Sequence, residues 1–326
     1  MTPLASYALR RLAQAVPVAL LIVLGNFLLL KTVPGDLVDV LAGESGAASP
    51  EYMQMLRTQF GLDQPDYAQF AAYYRQILHL NLGYSFRHNM PVSQLILDRL
   101  PATLLLMTTS ILVAVVLGLV LGALSARYRD SFFDHAVSLF SSVAFATPVF
   151  WVGLMAIVLF SVHLRWLPTG GMTTIGGKSG PLGVAADIGI HLVMPALTLA
   201  LTYVALYARV TRTAMLEVYD LDFVRTARAK GISEGRVAVR HVLRTALLPI
   251  VTLSGLQLGS VLGGAIVIET VFSWPGMGRL AFEAVADRDL NLLLSLFLCN
   301  SLVVISLSLI VDLLYAVLDP RIELAA

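Results

Sequence analysis

Apolar residues along this chain come in long, nearly unbroken runs. A bilayer core of about 30 Å takes about 20 apolar residues in an α-helix. Six stretches reach or approach that length: 12–30, 102–124, 136–162, 192–208, 246–268 and 291–313. Strong polar interruptions are confined to Gln14, Asn26, Gln257, Asn300 and Asp312. The pattern predicts an all-α integral membrane protein with about six transmembrane helices. The first run follows Arg10 and Arg11, as the core of a secretory signal would. It is longer than the usual core of about 7–15 residues, and Lys31 and Pro34 follow it instead of a cleavage site, so a retained helix is expected.

The runs divide the chain into four parts. Residues 1–31 are the N-terminus and first helix, and 32–101 an extracytoplasmic loop. Residues 102–318 form the core, with a cytoplasmic loop at 209–245, and 319–326 a cytoplasmic tail. The long loop carries its own helix signals. Ser49-Pro50-Glu51 offers a cap, a proline at the first helical position and an early acid, and Tyr52, Met53, Leu56 and Phe60 follow at helical spacing until Gly61. A second amphipathic stretch starts near Pro65, shows Phe70, Tyr73, Tyr74, Ile77 and Leu78, and ends by Gly83. Two short helices lying on the outer membrane surface are expected, their aromatic residues serving as interfacial anchors.

Composition agrees with a membrane protein: of 326 residues 57% are hydrophobic and 13% charged, with a mean hydropathy of +0.80. Soluble domains average about 25% charged residues. A net charge of +1 gives no footing for nucleic acid, because the charges are sorted by loop. With the N-terminus inside, thirteen Lys and Arg fall on the cytoplasmic side and nine outside, five of the nine in or beside the long loop. Long loops count little in this bias, so the comparison that matters is thirteen against four, and both termini are expected in the cytoplasm.

The loop 209–249 holds eight of the 22 basic residues and four acids, Glu217, Asp220, Asp222 and Glu234. Gly231 can end one helix in the left-handed conformation and Ser233 can cap the next. Helix–Gly–helix elements of this kind suit docking of a soluble partner; the plain alternative is a basic loop that only sets topology.

Catalytic and cofactor signals are thin. Residues 172–179, MTTIGGKS, come close to a phosphate-binding loop, but Met172 stands where the first glycine belongs and no strand precedes it. The six histidines, at 79, 88, 135, 163, 191 and 241, form no metal-binding pair, and the single Cys299 in an apolar run reads as core filler. No cofactor is expected on this chain. Polar groups within or beside the spans, Glu269, Asp312, Asn300 and Gln257, are candidates for a transport pathway or for structural pairing.

Several short motifs carry a family resemblance. In order they are Pro34-Gly35-Asp36, Gly61-Leu62-Asp63-Gln64-Pro65, Leu82-Gly83-Tyr84-Ser85, Arg99-Leu100-Pro101-Ala102-Thr103, Trp166-Leu167-Pro168 and Pro195-Ala196-Leu197-Thr198-Leu199. The sequence YDLDFVRTARAKG at 219–231 follows, then Pro275-Gly276-Met277-Gly278-Arg279, Arg288-Asp289, and Val311-Asp312-Leu313-Leu314-Tyr315 through Asp319-Pro320-Arg321. The ordered set resembles the permease subunit of a binding-protein-dependent ABC importer, in the oligopeptide/dipeptide/nickel class, almost end to end.

The resemblance implies a type I ABC importer permease fold in the bacterial inner membrane. It implies a second permease subunit as partner (a paralogue in most of the class), two ATP-binding subunits that hold ATP and Mg, a soluble substrate-binding protein, and surrounding lipid. It identifies Asp222, Phe223, Val224, Arg225, Thr226, Ala227, Arg228, Ala229, Lys230 and Gly231 with the EAA loop, a coupling helix inserted into the ATPase. Small residues at 226, 227 and 229 would permit close approach, and Arg225, Arg228 and Lys230 would meet acids. Arg225 replaces the family-wide glutamate, and Arg288-Asp289-Leu290-Asn291 departs from the Tyr-Pro and Gln usual in peptide permeases after Arg-Asp. Peptides are the substrate implied; a nickel chelate, glutathione or another small solute are alternatives. A secondary transporter, the rival of another class, should show an internal repeat, and the halves show no convincing one. An intramembrane enzyme lacks a site.

Overall fold

The computed structural model describes residues 3–32, 38, 49–59, 61–85, 87–177 and 180–318, the side chains of 3–8, 56, 248, 252, 255, 256, 258–262, 264 and 311–318 excepted. Pro34-Gly35-Asp36, Phe60, the Lys178-Ser179 end of the phosphate-loop decoy, Asp319-Pro320-Arg321, the tail and the side chain of Asp312 therefore lie outside the described residues.

Almost every described element is a helix: α1 (Pro3–Thr32), α2 (Pro50–Gln59), α3 (Asp66–Leu78), α4 (Val92–Arg127), α5 (Phe132–Ala146) and α6 (Val149–Ala156) continuing as a π-turn to His163. After these come α7 (Pro181–Tyr219), α8 (Asp222–Ala229), α9 (Glu234–Arg236), which runs through a π-turn into α10 (Arg244–Val271), α11 (Met277–Ala286) and α12 (Leu290–Leu318). Helices are what hydrocarbon permits, since every backbone N–H must be satisfied within its own segment. A hairpin of β1 (Tyr84–Ser85) and β2 (Met90–Pro91) adds one antiparallel pair.

Among the described residues four segments are long and apolar enough to cross a membrane: Leu9–Thr32, Val92–Arg127, Pro181–Tyr219 and Leu290–Ile310. α5 and α6 qualify only as a pair, bent by 102°. The run 136–162 had suggested one straight span. Pro148 explains the corner: it disfavours helical backbone in the preceding residue, and Thr147 accordingly sits at φ −88°, ψ 129°. α10, at 28 residues, is about 42 Å long and also exceeds the hydrocarbon thickness.

α7 is far longer than its apolar run 192–208. Its 39 residues extend about 58 Å, through Pro195 and on past Tyr207 to the basic loop. Polarity at 209–219 ends the apolar signal without ending the helix, because nothing there breaks a helix before Asp220.

Packing divides the chain into two units. One holds Met1–Ala8, Asp98–Glu283 and Ser306–Ala326. Within it α4 and α7 approach closely at glycine: a Cβ on Gly122 would lie 2.5 Å from the Ala208 carbonyl oxygen, and one on Gly118 2.4 Å from Tyr207 Cβ. Ala114, Ala200, Val204, Tyr207 and Ile250 make a core cluster there.

The other unit holds Leu9–Leu97 and Ala284–Ile305. Phe27 meets Phe70 edge-on at 5.3 Å, and Lys31 pairs with Asp66 at 2.9 Å. The polar interruption at Asn26 is absorbed here, its amide donating to the Leu294 carbonyl at 3.0 Å. The β-hairpin is tied to the start of α12: Asn291 Nδ2 donates to the Tyr84 carbonyl at 3.1 Å, Ser295 to that of Leu82 at 3.2 Å, and Ser85 to the Asp289 carboxylate. Asn291, one of the residues that departs from the peptide-class pattern, thus has a defined structural partner. A Cβ at Gly83 would stand 2.6 Å from its amide nitrogen.

Candidate functional site

α8 is the element toward which the basic loop converges. Its first turn carries Asp222 and its last turn Arg228, matching the polarity of a helix dipole. Gly231 follows at φ +73°, donating to the Arg228 carbonyl at 2.9 Å, while Ile232 donates to that of Ala227 at 3.3 Å. This reciprocal pair closes the helix as a Schellman motif, for which the left-handed residue is the requirement. Ser233 stands at the N-cap position of α9, but its hydroxyl makes no cap bond; its carbonyl accepts from Arg236 and Val237 at 2.9 and 2.9 Å.

One face of α8 is committed to the subunit itself. Val224 and Ala227 are buried among Ala126, Met215, Val218, Val237, Val242 and Ala246. Burying a valine of this kind contributes about 2 kcal/mol. Ala227, expected from sequence to meet a partner, faces inward: positions three apart share a face of a helix, and Val224 sets that face. Arg228 is likewise engaged within the chain. Its Nε donates to Glu234 Oε1 at 2.8 Å, and its guanidinium lies 5.5 Å from the Tyr219 ring centre. The Glu234 carboxylate beside it raises the Arg228 pKa above its ordinary value. The face left open carries Asp222, Phe223, Arg225, Thr226, Ala229, Lys230 and Gly231, with Arg225 loosely paired to Asp222 at 3.5 Å. Beside α8, Arg127, Tyr128 and Arg129 face Tyr219, Asp220, Arg228 and Glu234 across a groove of about 310 Å³. α8 thus has an inner apolar seam and an outer charged face bearing one exposed aromatic, Phe223.

Of the four polar candidates, Glu269 and Gln257 do not form one site. Glu269, fully buried, takes the Thr103 hydroxyl on Oε1 at 2.6 Å and the Arg279 amide on Oε2 at 3.0 Å. Thr103 Oγ1 in turn accepts from the Met277 amide at 2.7 Å, and Trp274 Nε1 donates to the Ala102 carbonyl at 2.9 Å. Gly276 closes over the carboxylate, where a Cβ would lie 2.2 Å from Glu269 Cδ. The motifs around residues 99–103 and 275–279 therefore meet at Glu269. Its donors come from its own chain, which makes this carboxylate a structural hub. Gln257 lies twelve residues earlier on α10, about 18 Å away, and is half-buried. Asn300 is half-buried on α12, its Oδ1 without a partner among the described residues.

A second polar junction, one that sequence reasoning passed over, joins α5 to α7. Arg212 grips Asp134 through two N–H groups, at 2.6 and 2.7 Å. Both residues lie just beyond the apolar runs 136–162 and 192–208, and 78 positions separate them, so no local pattern announces the pair.

In the phosphate-loop decoy, Asp187 binds the Thr174 amide at 2.6 Å and hydroxyl at 2.8 Å, and no strand leads into it. Among the described residues no group of three His, Cys, Asp or Glu is placed to hold a metal.

Residues 118–324 match the family model described as the binding-protein-dependent transport system inner membrane component, and residues 4–107 match its N-terminal companion. The chain belongs to this family. It is similar over its whole length to the oligopeptide transport system permease protein AppB of Bacillus subtilis, at 38% identity over 98% of this chain and 100% of AppB. It is similar also to the dipeptide transport system permease protein DppB of Escherichia coli, at 37% identity over 97% and 98%. Among solved structures, the MetNI methionine ABC transporter in an inward-facing conformation matches with a TM-score of 0.54 and 16% identity, over 69% of this chain and 97% of that one. That likeness establishes the fold, the type I ABC importer permease. As a member of the family, this inner membrane component is a multi-pass membrane protein and a permease subunit.

Proposed function

We propose that this inner membrane component is one of two paralogous permease subunits that form the pathway of an ATP-driven peptide importer. Di- or oligopeptides would arrive on a soluble substrate-binding protein, and two ATP-binding subunits would hydrolyse ATP with Mg on the opposite side. The observation that carries the reading is similarity to AppB and DppB over nearly the full length of all three chains. The charge bias supports cytoplasmic termini and an ATPase-facing basic loop.

α8 supplies the lever. Its inner seam anchors it to α4, α7 and α10, and its outer face offers Phe223, Arg225 and Lys230 to an ATPase cleft. An ATP-bound and an ATP-free ATPase pair would contact that face differently, and this difference is what shifts the permease between states.

The test is reconstitution with receptor and ATPases, reading ATP turnover and peptide uptake together. Gly231→Val forces a β-branched residue to φ +73°, which re-aims α8, and should abolish receptor-stimulated ATPase activity and uptake. Gly231→Asn tolerates that φ and should retain both. Full activity in Gly231→Val would reduce the loop to a topological spacer. Loading the receptor with a nickel chelate in a parallel arm decides the substrate class: uptake of nickel without uptake of peptide replaces the peptide reading.

A further inference from the structure

α8 hangs from α7 by two residues, Asp220 and Leu221. Two turns before that join, Arg212 meets Asp134 in the first turn of α5, as described above. The Asp134 side chain is 4% exposed. Besides the two Arg212 N–H groups, its oxygens take the hydroxyl of Ser125, from the last turn of α4, and the Asp130 amide at 3.0 Å. The Asp134 amide donates to Ser131 Oγ at 3.3 Å, capping α5. One buried carboxylate therefore collects donors from α4, from α7 and from the turn that begins α5.

Geometry of this kind constrains direction as well as distance. A bidentate guanidinium–carboxylate pair resists rotation, whereas apolar side chains such as those beneath α8 hold two elements together without fixing their relative slide. α5 is also set off from α6 by a corner. It ends at Thr147-Pro148, where the chain turns through 102° and the proline offers no N–H to continue the ladder.

We propose that the Asp134–Arg212 pair is a transmission link that makes α5 travel with α7 when the ATPase displaces α8. Motion of one short helix then reaches both α7 and the first arm of the bent α5–α6 pair, and the Thr147-Pro148 corner is where α5 swings. Asp134 and Arg212 are positioning residues; neither touches ATP nor substrate. The inference rests on the coupling reading of α8.

The experiment uses the assembled importer in vesicles and reads uptake per ATP hydrolysed. That ratio is taken within assembled complexes, so loss of folded subunit cancels from it. Asp134→Asn should lower it roughly tenfold. Because this variant strands a partly buried guanidinium, it also destabilises the subunit. A second variant, Asp134→Asn with Arg212→Met, removes both charges; it should recover thermal stability and still show the low ratio. Arg212→Lys keeps the charge but loses the planar fork, and its ratio should fall between those of wild type and Asp134→Asn. An unchanged ratio in Asp134→Asn, or a ratio restored along with stability in the double variant, would show that the pair only holds the fold. If Gly231→Val uncouples and the Asp134 variants do not, the link alone fails; if none uncouples, the coupling reading of α8 fails with it.

Discussion

At the scale of single residues, Glu269 shows how chemistry is assigned by neighbours. Sequence marked it as an acid next to an apolar run, consistent with a pathway or a structural pair. The structure surrounds it with the Thr103 hydroxyl and the Arg279 amide, under a glycine with no room for a methyl group. Glu269→Gln presents an amide N–H₂ toward one of these donors, leaving a buried polar group unsatisfied at a cost of about 1–3 kcal/mol. Gly276→Ala collides with the carboxylate and should cost at least as much. Both variants are expected to unfold several degrees below wild type, followed through the fluorescence of buried Trp274. A wild-type melting temperature in both would contradict the hub. The same reasoning applies to Ala227→Asp: the new charge would enter the subunit's own seam, so its damage would be to folding rather than to a docking contact.

At the scale of elements, α8 was legible as a helix ended by Gly231, because left-handed backbone restricts the residue types that can occupy it. Which face it offered was not legible. Eight residues with alternating small, apolar and basic side chains suit either orientation, and the choice falls to the cavity that α4, α7 and α10 leave for Val224 and Ala227. Single cysteines check that choice. Cysteine at Ala229 should react with a polar maleimide in the isolated subunit and be protected when ATPase subunits bind. Cysteine at Ala227 should stay unreactive in both. Equal labelling at the two positions would mean that the inner seam does not exist in the membrane. The α5–α6 corner was visible only as a proline inside an apolar run, and the length of α7 was not visible at all, since hydropathy reports the membrane and not the helix.

At the scale of the whole molecule, orientation rests on the thirteen-to-four bias of Lys and Arg. A cysteine near Tyr74 should therefore label from outside intact cells, and one near Glu234 only after permeabilisation. The reverse pattern would turn the molecule over and place α8 away from any cytoplasmic ATPase.

Apolar run length and motif order by themselves determined that this chain is a helical membrane protein of the importer-permease family, because membrane insertion and the left-handed cap depend on local chemistry. The two amphipathic helices after the first span were legible for the same reason, since their caps and spacing are local. Tertiary structure alone decided that Ala227 faces inward, that Arg228 is already paired, that Glu269 is a hub, and that Asp134 meets Arg212. Arg228 meets Glu234 because the turn at Gly231 sets two short helices side by side, and each of the others depends on contacts between positions far apart in the chain or on which face of a helix is covered. Hydropathy carries no information on either, because a buried ion pair and an exposed one have the same composition.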